Sequence, residues 1–353
     1  MKIEKILTAA VRGGASDIIL KRGVVPHFRY LGKLVPLENG QQISSDMIHT
    51  WLSEMTSNYE ERIVKHDLDF AYQSQGGHRF RVNAFRQRGE IALVLRVVIS
   101  HMRSMEELQL PDVIGRLADE KRGLILVTGA AGCGKSTTMA AMIDRINRTR
   151  QSHIITIEDP IEYLFEDQQS LIEQREVGVD TKSFLDAVKS ALRQNPDVIM
   201  IGELRDEETV RTALQAAETG HLVIATLHTS DAAESIHRIL GFFDSQGQKL
   251  AQKVFGQVLK GVVSQRLVTR KNATGMVAVL EVLMGSPLVK EAIEKGEFSK
   301  LHGIIKDGRD GWGMQTFDQS LAKLCVAGLI SREDARKYAS SRSEVDLMLS
   351  GIS

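Results

Sequence analysis

Residues 129–136 read Gly-Ala-Ala-Gly-Cys-Gly-Lys-Ser and satisfy the phosphate-loop spacing G-x-x-x-x-G-K-[ST]. Gly129, Gly132 and Gly134 let the backbone curl so that successive N–H groups, through Cys133 to Thr137, point into one concavity. The helix that begins there adds the positive end of its dipole. Lys135 is placed to reach the β- and γ-phosphates, and the Ser136 hydroxyl to ligate Mg²⁺. The chemistry expected of this stretch is capture of ATP with Mg²⁺.

Two further stretches end in carboxylates. Asp197-Val-Ile-Met-Ile-Gly-Glu203 is an apolar strand with an acid at its exit, the form of a Walker B strand, with Glu203 set to hold Mg²⁺ or its water. His153-Ile-Ile-Thr-Ile-Glu158-Asp159-Pro160-Ile161-Glu162 is another, and Pro160 turns the chain out of the sheet. A carboxylate here would polarise the attacking water, and the residues alone do not choose among Glu158, Asp159 and Glu162. A fourth strand, from His221, exits through Thr226, His228 and Thr229, a set able to sense a γ-phosphate or simply to finish a strand. Upstream, Arg79-Phe-Arg81-Val-Asn-Ala-Phe-Arg86 and Val94-Leu-Arg96 carry arginines on neighbouring strands. Alternation puts Arg79 and Arg81 on one face, either a solvated sheet face or a cationic set that meets a phosphate at a domain or subunit boundary.

The elements that must position these groups fall into two rhythms. Residues 1–98 alternate a helix (Ile3 to Arg12), a second helix opened by serine and aspartate (Ser45 to Glu54), and strand-like runs. Those runs are Asp17–Lys21, Pro26–Leu37 around a Leu31-Gly32 turn, Asp69–Gln75, Arg79–Arg86 and Ile91–Val98. Short turns between the last runs predict an antiparallel sheet. Residues 99–112 read as a linker that feeds a capped helix. From 113 to 353 strands alternate with helices: Gly123–Thr128, His153–Glu158, helix Thr181–Gln194, Asp197–Gly202, helix Glu207–Thr219, and His221–Leu227. That alternation predicts a parallel sheet covered on both faces, with ligands at the carboxyl ends of the strands. A β-pair (Gln265–Arg270, Met276–Met284) then leads into helices that run to the C-terminus.

Composition excludes several classes. The 353 residues carry 45 Lys+Arg and 45 Asp+Glu, so no global charge draws the chain to nucleic acid. Cys133 and Cys325 form no CxxC pair, which argues against a structural zinc and for reduced thiols. Cys133 sits among the phosphate-binding amides, so its alkylation would block nucleotide unless the thiol is buried. The first residues lack a signal-peptide core, and no run approaches the ~18 apolar residues of a membrane span. Membrane association is expected only through a partner.

These motifs together resemble the secretion-ATPase superfamily and, within it, the PilT/PilU family of type IV pilus retraction ATPases. The resemblance rests on ASDIIL (15–20), RFRVNAF (79–85), GAAGCGKST (129–137), TIEDPIEY (156–163), QREVGVDT (174–181), DVIMIGELRD (197–206), AETGHLVIATLHT (217–229) and GMQTFDQSL (313–321). The tail from Lys295 through Ser341 looks closest to the PilU branch, and Leu288-Val-Lys-Glu-Ala-Ile293 stands where the PilT branch carries an AIRNLI-type motif. Ala130-Ala131 replaces the family's common Pro-Thr and Cys133 its usual Ser, and neither removes a needed N–H donor.

The resemblance implies an α/β fold: a PAS-like N-terminal domain (1–98), a linker (99–112), and a RecA-like P-loop ATPase core with a helical C-terminal part (113–353). It implies Glu162 as catalytic glutamate, Glu203 as Walker B glutamate, His228 as His-box histidine, and Arg81 and Arg96 as arginines directed at the nucleotide. It further implies a homo-hexamer, working alone or mixed or stacked with a PilT-type ATPase, at the cytoplasmic face of the bacterial inner membrane. There it would engage the pilus platform protein and drive pilin removal and twitching motility. An accessory nucleotide-binding ring subunit and a filament-extension or secretion ATPase are the alternative readings.

Overall fold

A strand that is apolar on one side only leaves its other side to solvent or charge, and the first hundred residues are built of such strands. The computed structural model describes residues 2–30, 32–64, 66–98, 102–272 and 275–351. Leu31 of the expected turn and residues 99–101 of the expected linker lie outside these. The chain divides into two compact units, Met1–His101 with Glu162–Leu164, and Met102–Ile161 with Phe165–Ser353.

In the first unit β1 (Asp17–Lys21), β2 (His27–Tyr30), β3 (Lys33–Pro36), β4 (Leu68–Gln73), β5 (Arg79–Gln87) and β6 (Glu90–Val97) form one sheet, ordered β3-β2-β1-β6-β5-β4. Every pairing in it is antiparallel, as expected. Phe80, Val82 and Ala84 alternate inward along β5 and share a core with Ile3, Ile6 and Leu7 of helix Ile3–Arg12 and with Ile48, Trp51 and Leu52 of helix Ser45–Met55. A large side chain buried this fully contributes about 1.5–3 kcal/mol. Ser44 caps the second helix by accepting the Met47 N–H at 3.2 Å. The outward face holds Arg79, Arg81 and Arg96, whereas Arg86 has the parity of the inward residues and pairs with Ile91.

The second unit is built around β7 (Gly123–Thr128), β8 (His153–Glu158), β9 (Leu171–Glu176), β10 (Val198–Ile201), β11 (Leu222–Leu227), β12 (Leu259–Thr269) and β13 (Met276–Met284), ordered β13-β12-β7-β11-β10-β8-β9. All neighbours run parallel except β13, which is antiparallel to β12. Every residue of β7, β10 and β11 is buried, so these strands are continuous apolar runs, the signature of a sheet covered on both faces. Helices Lys135–Thr149, Phe184–Ala191, Glu207–Glu218 and Ala232–Leu240 supply the cover.

Three sequence expectations need correction. β9 was not expected as a strand, because Leu-Ile-Glu-Gln-Arg-Glu is mostly polar and Leu171 is exposed; it is an edge strand that asks for little burial. β12 begins at Leu259 rather than Gln265, directly after helix Ser245–Val258, with no Gly-Pro punctuation to mark the change. The helix at Asp112–Ala118 opens on Pro111 with no side-chain cap. Beyond β13 the first tail helices bury Val289, Ile293, Leu301 and Ile305 in the main core, and those from Phe317 onward gather on a satellite core of Val268, Val277, Phe317, Leu321 and Val345. The GMQTFDQSL stretch is their joint. Gln315 pairs with Val282 of β13, Thr316 and Gln319 form a capping box, and Asp318 accepts the Ser340 and Ser341 N–H groups at 2.7 and 2.8 Å.

Candidate functional site

Because β7, β11, β10 and β8 are parallel neighbours, their carboxyl ends lie along one edge, and the sheet order puts β11 between β7 and β10. The phosphate loop, His228, Glu203 and the Glu158-Asp159 pair leave the sheet side by side on that edge.

The loop joins β7 to helix Lys135–Thr149 through Gly134, which has φ +89°, and Gly129 has φ +143°. These values exclude a side chain on conformation alone, and space excludes it as well. A Cβ on Gly129 would come within 2.4 Å of the Gln265 carbonyl oxygen, and one on Gly134 within 2.7 Å of Gln265 Nε2. Lys135 is 9% exposed, and its Nζ donates to the carbonyls of Gly129 at 2.8 Å and Ala130 at 3.0 Å. Ser136 and Thr137 follow in the first helical turn, half-buried.

From Lys135 a string of polar contacts crosses the strand ends. Nζ lies 3.5 Å from His228 Nδ1, and His228 Nε2 lies 3.5 Å from Glu203 Oε1. Glu203 Oε2 accepts from Arg205 Nε at 2.8 Å, and Arg205 Nη1 reaches Asp159 Oδ2 at 3.4 Å. The bond to Glu203 raises the Arg205 guanidinium above its ordinary pKa, with Asp159 adding to it. Thr226 donates its hydroxyl to the Gly202 carbonyl and so ties the exit of β11 to the exit of β10. Thr229 is buried and turns away into a hydroxyl chain: it pairs with Ser235 at 2.7 Å, Ser235 with Thr128 at 3.3 Å, and Thr128 with Ser264 at 2.9 Å. This chain fastens the strand before the loop to the helix after His228.

The three candidate acids separate. Glu158 is buried and accepts from Thr156 Oγ1 at 2.7 Å and Gln174 Nε2 at 3.1 Å, which gives it a structural task. Asp159 is exposed and bound to Arg205. Glu162 is exposed and belongs to the first unit. Asp206, which follows β10, is the N-cap of helix Glu207–Glu218 through the Thr209 N–H at 2.8 Å.

In the first unit Arg81 and Arg96 stand directly opposite each other on β5 and β6. Asp17 of β1 accepts from Arg96 Nε at 3.0 Å and lies 3.5 Å from Arg29 Nε, while Asp69 lies 3.6 Å from Arg81. Like charges so placed repel, and the two aspartates offset them.

Cys133 is 7% exposed, and burial pushes its thiol pKa up more than nearby Lys135 brings it down. The condition under which alkylation would leave nucleotide binding alone, a buried thiol, is therefore met. Sequence reading missed the role of Gln265, which donates to the Cys133 carbonyl of the loop; between Ser264 and Arg266 in a strand of mixed polarity, it carried no local signal.

The family described as type II/IV secretion system protein matches residues 1–300. The chain is 41% identical to the type IV pilus ATPase PilU of Pseudomonas aeruginosa over 99% of its own length and 91% of that protein. It is 41% identical to the type IV pilus retraction ATPase PilT of the same organism, over 96% of this chain and 98% of that one. It belongs to the type II/IV secretion ATPase family, among the PilT/PilU pilus ATPases. The crystal structure of the pilus retraction motor PilT with bound ADP superposes with a TM-score of 0.90, covering 98% of this chain and 99% of that chain at 41% identity. The α/β fold expected from the motifs is thus that of the family. Identity to PilU and PilT is equal, so the overall match does not separate the two branches.

Proposed function

We propose that this family member is an ATP-hydrolysing subunit of a hexameric motor that powers type IV pilus retraction. The observation that carries the ATPase part is the contact string Lys135–His228–Glu203, which joins the phosphate loop to the acid after β10 across three adjacent strand ends, and the likeness to PilT and PilU supports the rest.

In this reading Lys135 and the loop N–H groups neutralise the β- and γ-phosphates. Glu162 takes the proton of the water that attacks the γ-phosphorus as the bond to the β,γ-bridging oxygen breaks. Arg81 and Arg96 meet the growing charge from a neighbouring subunit, as arginine fingers do, an effect worth ~10³–10⁵ in rate. An isolated monomer is then nearly inactive. Ser136 and Glu203 are hard oxygen donors of the kind Mg²⁺ takes beside phosphates and waters. That choice fits the chain, since Glu203 leaves the same sheet edge as the phosphate-loop helix whose first turn holds Ser136, and is joined to Lys135 through His228. The ion would offset phosphate charge.

No helix among the described residues is long and apolar enough to cross a membrane. We place the ring at the cytoplasmic face of the inner membrane, held there by the pilus platform protein. Residues 1–98 serve as its PAS-like domain, 99–112 as the linker and 113–353 as the motor core. The tail supports the PilU branch, and with it a ring mixed or stacked with a PilT-type ATPase.

The test is imaging of pili in a deletion strain complemented with wild type or Lys135→Ala. Hyperpiliated, non-retracting cells with Lys135→Ala support retraction; bald cells mean extension. In vitro, Lys135→Ala loses nucleotide, while Glu203→Ala and Glu162→Ala bind it without turnover. Normal hydrolysis by Glu162→Ala removes that residue from its role.

A further inference from the structure

Ser264 of β12 is in register with Thr128, the last residue of β7, so the next residue, Gln265, comes level with the start of the phosphate loop. Its backbone is fixed from the other side by pairing with Leu280 of β13. The side chain is 4% exposed and makes two short hydrogen bonds: Nε2 donates to the Cys133 carbonyl at 2.6 Å, and Oε1 accepts from Thr138 Oγ1 at 2.7 Å. A carbonyl only accepts, so the amide nitrogen must face Cys133 and the amide oxygen must face the threonine hydroxyl. The Cys133 carbonyl therefore sets which way the amide of Gln265 points, and Thr138, one helical turn into the phosphate-loop helix and buried, holds it there by donating to the amide oxygen.

The peptide unit between Cys133 and Gly134 is planar and trans, so its C=O and N–H point in opposite directions. With the carbonyl held toward Gln265, the Gly134 N–H is turned to the far side, into the concavity where the loop would take a phosphate. Left to itself this peptide could flip and present a carbonyl to the ligand, since glycine accepts either orientation. A Cβ on Gly129 or Gly134 would fall within 2.4 or 2.7 Å of Gln265, so the loop lies this close to the strand only because both positions are glycine.

We infer that Gln265, locked by Thr138, is the positioning residue that aims the Gly134 N–H at the nucleotide phosphates. It touches the loop and not the ligand, and so sets nucleotide affinity. This rests on the reading of Gly129–Ser136 as the phosphate site.

The experiment titrates MANT-ADP with Mg²⁺ into the full-length protein and its variants, with melting recorded without nucleotide. Gln265→Met keeps the length and removes both hydrogen bonds; Thr138→Val leaves Gln265 in place but frees its amide, and Thr138→Ser restores the lock. Gln265→Met and Thr138→Val are expected to weaken MANT-ADP by about tenfold or more, with KM for ATP rising in step and kcat changing less. Thr138→Ser is expected to bind as wild type. Retention of wild-type affinity by Gln265→Met, beside a Lys135→Ala variant that no longer binds, overturns the role of Gln265 alone. Should Gln265→Met fail to fold, Thr138→Val decides, and equal affinity of its valine and serine variants overturns the role. Undiminished MANT-ADP binding by Lys135→Ala defeats the phosphate-site reading first, and this inference with it.

Discussion

Nζ of Lys135 lies 3.5 Å from Nδ1 of His228, although 93 residues separate them in the chain. The imidazole then continues to Glu203 through its other nitrogen. His228 thus stands between Lys135 and Glu203, one ring nitrogen toward each.

Replacement of His228 by alanine should leave nucleotide affinity close to wild type, because Lys135 keeps its two carbonyl partners. Turnover should fall by about 10²-fold, the usual scale for a positioned polar group in a reacting site. Phosphate release measured beside MANT-ADP affinity separates the two. Equal losses in both would show that the histidine merely supports the loop.

Arg205 holds Glu203 from the side away from His228. The pair is substantially solvated, so Arg205→Ala should cost no more than about 1 kcal/mol of stability. Its larger effect should be on turnover, down by about tenfold, because Glu203 loses the partner that fixes its second oxygen. Arg205→Lys should recover only part, since an ammonium cannot reproduce the guanidinium fork that also reaches Asp159. Steady-state hydrolysis alongside urea melts would check this, and unchanged kcat in the alanine variant would dismiss it.

Glu281 of β13 is buried and accepts the Ala232 N–H at 3.0 Å. Burial chiefly, with Asp231 adding, pushes its carboxyl above the ordinary value of 4.5, against the N–H and the charges of His302 and Arg266. A carboxyl whose folded pKa is raised destabilises the fold when ionised in both states. The cost is full above the folded pKa and is gone once pH falls below the unfolded one. Glu281→Gln, which still offers an oxygen to Ala232, should therefore melt higher than wild type at pH 8, by about 1–4 °C. The gap should narrow as pH drops toward 5. A gap that widens in acid would contradict the assignment of the cost to burial.

The two thiols should differ. Cys133 is buried with a raised pKa, whereas Cys325 is half-buried. Native protein treated with a thiol reagent at neutral pH should label Cys325 first and Cys133 at least about tenfold more slowly, with the difference erased in urea. Fast labelling of Cys133 with loss of nucleotide binding would show instead that its alkylation blocks the loop.

The parts legible in the sequence are those whose determinants are neighbours along the chain. Eight consecutive residues specify the phosphate loop, because the turn, its amides and the helix start are all local. The apolar spacing of Ile3, Ile6, Leu7 and Ala10 specifies the first helix for the same reason. The buried strands announced themselves as apolar runs, and their polar exits as the places for chemistry. What only the tertiary structure decided depends on register and on sheet order. Thr138 and Gln265 are 127 residues apart, and Gln265 and Cys133 are 132 apart. No local pattern marks β12 as the strand that lies beside β7. The pairing of Arg81 with Arg96, the use of Glu158 inside the fold while Asp159 faces Arg205, and the edge strand β9 are likewise set by which strand lies next to which. Sequence wrote the loop; the packing of distant strands chose what holds it in shape.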